Sequence, residues 1–110
     1  MAIEVTPTFA RNVRTLLKRY RSLRQDLQPI LEQLEQGERP GDRLQGLSFS
    51  VFKLRLKNSD IAKGKSASYR LIYYAELADQ IILLMIYSKS DRTDVSSQEI
   101  LEILNELDLP

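Results

Sequence analysis

The sequence predicts an α+β domain, an N-terminal helical hairpin packed on a small, mostly antiparallel sheet in the order βααβββα. Three observations carry that expectation. Two apolar stripes at helical spacing stand in tandem over residues 9–20 and 23–34, separated by a short polar turn. Residues 49–57 (FSVFKLRLK) alternate apolar and polar side chains, as a half-buried strand does. Two more strand-like segments and a last helical stripe follow, and helices segregated from a run of strands define the α+β class. A length of 110 residues suits one domain with a single modest core.

Residues 2–5 (AIEV) read as a short first strand. Thr6 is then a candidate N-cap, with Pro7 at the first helical position. Phe9, Val13, Leu16, Leu17 and Tyr20 form one stripe, and Arg11, Arg14, Lys18 and Arg19 lie between them. Ser22 and Gln25 make a capping-box pair for a second helix, whose stripe is Leu23, Leu27, Ile30, Leu31 and Leu34. Pro29 falls inside this stripe and predicts a kink or an interruption. GERPG at 37–41 ends the unit. On the strand at 49–57, Phe52, Leu54 and Leu56 face one way, and Val51, Lys53, Arg55 and Lys57 the other. Residues 58–68 form a polar loop, residues 69–75 a second strand, and residues 76–80 a turn. Residues 81–89 are apolar on both faces and read as a central strand. After the polar crossover SKSDRTDV, Ser96 and Glu99 form another capping box. Ile100, Ile103, Leu104 and Leu107 are the stripe of a final helix.

Composition removes several function classes. The chain has no cysteine and no histidine, so disulfides, thiolate metal sites and the commonest general base are all excluded. The longest apolar run, IILLMIY at 81–87, is far shorter than the roughly 20 residues that span a bilayer. Residues 1–10 lack a basic region followed by an apolar one. These features lead us to expect a cytoplasmic protein with no membrane partner. The GKS at 64–66 ends like a phosphate-cradling loop, but position 59 holds Ser59 where that loop needs its first glycine. A strand follows, where a helix is required. No nucleotide or other small-molecule cofactor is expected.

The net charge of +1 conceals a polarised distribution. Residues 1–70 carry 14 Lys/Arg against 7 Asp/Glu, whereas residues 71–110 carry 2 against 8. Lys53, Arg55 and Lys57 put three cations on one face of a strand, and such a row calls for something anionic. Lys63, Lys65 and Arg70 follow closely, and Tyr69, Tyr73, Tyr74 and Tyr87 lie on the neighbouring strands. Cations interleaved with aromatic rings suit single-stranded nucleic acid, although aromatic residues in strands more often pack in a core. Glu99, Glu102 and Glu106 read as the solvated face of the last helix, and Asp91 and Asp94 as loop residues.

The phrases KRYRSLRQDL, VFKLRLKNSD, GKSASYRLIYY and LLMIYSKSDR, in this element order, resemble the RelE/ParE superfamily of bacterial toxins. Those are the toxin halves of type II toxin–antitoxin pairs, and the resemblance runs over residues 9–104. It implies a microbial-ribonuclease-like sheet with a helical hairpin on one face. For the RelE-like branch it implies an mRNA endoribonuclease that acts on the ribosome without a metal, the 2′-hydroxyl attacking the adjacent phosphate. The family's basic strand residues match Lys53 and Arg55, and the arginine of its YR phrase matches Arg70. These would stabilise the pentacovalent phosphate, and a lysine of lowered pKa would move the proton.

Where that branch has a further arginine and a tyrosine, this chain has Ser90 and Ser96. Tyr87 and Lys89 are the neighbouring catalytic candidates. Lys57, Lys63, Lys65 and Arg92 are the candidate RNA contacts. The resemblance also implies a cognate antitoxin protein that folds on binding, with the ribosome and mRNA as further partners. ParE-type members share the fold but act on DNA gyrase. A binding module without catalysis, working with its antitoxin, is a third possibility.

Overall fold

The computed structural model describes residues 2–60, 68–75 and 80–107. Within them the chain forms β1 (Ala2–Val5), α1 (Pro7–Leu17), α2 (Leu23–Glu35), β2 (Asp42–Arg43), β3 (Val51–Lys57), β4 (Ser68–Tyr74), β5 (Gln80–Ser88) and α3 (Ser97–Asn105). The strands make one mixed five-stranded sheet in the order β1-β5-β4-β3-β2. β1 runs parallel to β5, and every other pairing is antiparallel. No described helix is long and apolar enough to cross a membrane.

The α+β class and the hairpin-then-sheet arrangement agree with the sequence, but the order gains a strand. β2 has only two residues, too few to show any periodicity. It exists because Gly41 takes a left-handed φ of +96° and lies so near β3 that a Cβ there would sit 2.5 Å from the Lys53 carbonyl oxygen. Glycine alone permits that approach.

Helix starts follow local chemistry, with one departure. The Thr6 hydroxyl accepts from the Phe9 N–H at 2.9 Å and donates to the Leu84 carbonyl at 2.7 Å, so it caps α1 and ties it to β5. Leu84 is the extra residue of a β-bulge, since Ile72 pairs with Met85 while Tyr73 pairs with Leu83. The capping box expected at Ser22 and Gln25 does not form. Ser22 has helical rather than extended dihedrals (φ −77°, ψ −2°), and its hydroxyl turns to Asp26 Oδ2 at 3.2 Å. Nor does Pro29 break α2, which runs unbroken to Glu35. Pro29 and Gln25 are both exposed, so water can take up the carbonyl that the missing N–H leaves free.

Two apolar clusters lie on the two faces of the sheet. On one, Phe9, Leu16 and Tyr20 of α1 and its turn, with Leu23, Leu27 and Leu34 of α2, cover Leu56, Tyr69, Leu71, Tyr73, Leu83 and Ile86. On the other, Ile100, Ile103 and Leu104 of α3 cover Val51, Ile72, Tyr74, Ile82 and Met85. Because α3 is short, it shields only part of its face. The remainder carries the charged ends of β3 and β4.

Candidate functional site

The period of two along β3 sends Lys53, Arg55 and Lys57 to the face that α3 half covers, and the pairing register brings β4 and β5 residues beside them. Arg55 lies directly opposite Arg70, and Arg70 opposite Tyr87, in one row across three strands. In the next row Lys53 lies between Ile72 and Asp42. Asp42, Leu44, Lys53, Arg55 and Arg70 line an open concavity of about 330 Å³. Three of the five predicted catalytic residues therefore meet in one place, and Lys57 continues the row beside Ser68.

Like charges at directly paired positions of two strands repel, by an amount on the order of 0.2–1 kcal/mol. Among the described residues no ion pair neutralises these two, although Asp42 lines the same concavity. Arg70 donates to the Ser68 hydroxyl and, at 3.3 Å, to the Tyr69 carbonyl, both uncharged acceptors. Arg55 is exposed, and it forms no ion pair among the described residues. Lys53 is different, since its ammonium donates to Asp94 Oδ1 at 2.8 Å. That bond, and a second from the Val95 N–H, hold the Asp94 carboxyl below the usual carboxylate range.

The remaining candidates are engaged elsewhere. Lys89 donates to the Thr93 carbonyl at 2.8 Å. Arg92 forks onto Glu99 at 3.0 and 2.6 Å, donates to the Asp94 carbonyl at 3.1 Å, and lies 5.2 Å over the Tyr87 ring. Both close the crossover between β5 and α3. Glu99 is thus no free member of a solvated face; Arg92 holds its carboxyl below the usual range. Tyr87 is 5% exposed. Burial pushes its phenol up, while its hydroxyl, close to Lys53, Asp94 and Arg70, has no hydrogen-bond partner among the described residues. Lys63 and Lys65 lie outside the described residues.

The aromatic half of the sequence expectation is corrected. Tyr69, Tyr73, Tyr74 and Tyr87 are all buried, none more than 5% exposed, and offer no platform for bases. Tyr73 stacks on Phe52 at 5.2 Å and donates to the Pro40 carbonyl, and burial pushes its phenol up to about 12. Tyr69 packs edge-on against Tyr20 at 5.9 Å. Strand tyrosines here serve the core, as they usually do.

Sequence reasoning missed Asp42 and Leu44 as rim residues and Asp94 as the partner of Lys53. Asp42 sits on a strand without a pattern, and Asp94 is brought to Lys53 from 41 positions away by the crossover. Among the described residues, no group of three or more His, Cys, Asp or Glu side chains could hold a metal ion. What the arrangement can do is bind an anion of phosphate size, on two arginines and a lysine at the floor of a shallow cleft. No protein-family model matches the chain, and no curated protein matches it significantly.

Proposed function

We propose that this chain is the toxin component of a type II toxin–antitoxin pair, an endoribonuclease that cleaves mRNA on the ribosome and so inhibits translation. The observation that carries the reading is the register pair Arg55 and Arg70, which form no ion pair among the described residues, in a cleft that also holds Lys53 and is rimmed by Asp42. Two guanidinium forks can take the two non-bridging oxygens of a phosphodiester. They bind more strongly as the attacked phosphorus gathers charge, which is how fixed cations accelerate such a step. The 2′-hydroxyl is then the nucleophile and the 5′-oxygen of the next nucleotide the leaving group. Lys53 and Lys57 are the amines on that face for moving a proton. The resemblance described above adds the ribosome, the antitoxin and the cytoplasm to this reading.

One observation favours a second reading. Tyr87 is buried, and Lys89 and Arg92 are tied into the crossover, so the residues nearest to the missing catalytic pair are not free to act. A toxin that binds without cutting, as ParE-type members do with gyrase, fits that arrangement. Translation of a preformed mRNA in a purified system separates the two. The nuclease reading predicts that wild-type protein stops synthesis and that Arg70→Ala restores it, with gyrase supercoiling unaffected by either protein. Normal synthesis alongside lost supercoiling would replace it with the second.

A further inference from the structure

From Thr6 to Gln25 the sequence carries six cations, Arg11, Arg14, Lys18, Arg19, Arg21 and Arg24, and no carboxylate. The cleft uses none of them. Arg19 is accounted for, since it bridges to Asp91 at 2.7 Å and lies 4.9 Å over the Tyr20 ring. The other five are exposed, and none forms an ion pair among the described residues. Among the described residues, Arg11 reaches only the Thr8 hydroxyl, at 3.3 Å.

Helix electrostatics explain part of this charge. Arg14 and Lys18 stand at the C-terminal end of α1, where the macrodipole favours cations. Arg21 and Arg24 do the opposite, standing at the N-terminal end of α2, where the dipole disfavours them. Neither forms an ion pair with Asp26 or Asp60, which accept from Ser59 and Ser22 at the start of α2. The helix dipole does not account for their position.

Arg11, Arg14 and Lys18, three and then four residues apart, share one side of α1, with a cation about every 5 Å along the axis. Phe9, Leu16 and Tyr20 face the sheet, so this row faces outward, on the layer opposite the cleft. The aromatic rings of the hairpin, Phe9 and Tyr20, are buried. A regular row of cations on an outward helix face, with no concavity there among the described residues to enclose a single strand, fits the ladder of phosphates along a double-helical backbone.

We propose that the outer face of the helical hairpin, built from Arg11, Arg14, Lys18, Arg21 and Arg24, is a second RNA-binding surface. It grips the backbone of a double-helical RNA while the cleft across the sheet engages a single strand. The inference rests on the reading of the protein as an RNA-directed toxin and extends it, because an enzyme acting on mRNA within a larger RNA assembly needs separate contacts to each.

The test is fluorescence anisotropy with two probes, a short blunt-ended RNA duplex and a single-stranded oligouridylate. Wild type is compared with Arg11→Gln/Arg14→Gln/Lys18→Gln, with Arg55→Ala/Arg70→Ala, and with the charge-preserving Arg11→Lys/Arg14→Lys. The triple variant should bind duplex about tenfold or more weakly at physiological salt, its log–log salt slope reduced by about 2 to 3, and keep its affinity for the single strand. Arg55→Ala/Arg70→Ala should do the reverse, and Arg11→Lys/Arg14→Lys should match wild type. Undiminished duplex binding by the triple variant overturns the proposal. Equal loss on both probes also overturns it, as that is one diffuse field and not two surfaces. Poly-L-glutamate as competitor supplies the other alternative: loss of its binding with duplex binding intact would assign the face to an acidic protein. If wild type ignores the single strand but the triple variant still loses the duplex, the cleft reading fails and the hairpin surface stands.

Discussion

At the scale of single residues, the site is defined by which cations have partners and which do not. Arg55 and Arg70 stand at directly paired positions and form no ion pair among the described residues, whereas Lys53 is held by Asp94 at 2.8 Å. Asp94 is an exposed carboxylate resting on a cation of the cleft, where a ligand phosphate would also seek to bind. The same Oδ1 keeps its bond from the Val95 N–H, so Asp94 can release Lys53 while its loop stays in place. Asp94→Asn is expected to raise affinity for single-stranded RNA by about two- to fivefold, the equivalent of one surface ion pair. In a Lys53→Gln background the gain should vanish, and anisotropy titrations of the four proteins measure both effects. Weaker binding by Asp94→Asn would instead make Asp94 the residue that positions Lys53. The cations themselves were legible in the sequence because a strand's period of two puts Lys53, Arg55 and Lys57 on one side. Their carboxylate partner was not, because no local pattern connects position 53 to position 94.

At the scale of elements, strong periodicity and strong caps read correctly, and weak ones did not. The stripes of α1, α2 and α3 all pack against the sheet as their spacing requires. Thr6 acts as the cap that Thr-Pro announces, and it does more, since its buried hydroxyl also binds the Leu84 carbonyl at the bulge. Thr6→Ala removes both bonds and is expected to destabilise the fold by about 1–2 kcal/mol. Urea unfolding measures this, with Thr6→Ser recovering most of the loss; an unchanged midpoint would mean the bulge holds α1 without its cap. The box at Ser22 failed because that residue stays in the helical region and its neighbours, Asp26 and Asp60, draw the start of α2 to the end of β3. β2 was invisible for a different reason. Two residues have no period, and what creates the strand is a contact made by Gly41, distant in sequence from Lys53. The four strand tyrosines had two readings open, and burial decides for the core.

At the scale of the whole molecule, the sheet separates two kinds of surface. Its hairpin side is sealed by α1 and α2, whose outer face carries the cations that form no ion pair among the described residues. Its other side is sealed by α3 for part of its length and left open where Arg55, Arg70 and Lys53 meet. The charge imbalance between residues 1–70 and 71–110 thus has a structural expression, because the basic part builds the hairpin and the cleft floor while the acidic part supplies Asp94 and Glu99 to the crossover. The imbalance was visible in the sequence; its division between two opposite faces follows only from the packing of the helices. The central claim is that the cleft acts on RNA held by the ribosome. Primer extension on a defined mRNA, with wild type and Arg70→Ala, each with and without ribosomes, tests it most directly. Cuts that require ribosomes and disappear in Arg70→Ala are the predicted result, and intact mRNA in every lane would contradict it.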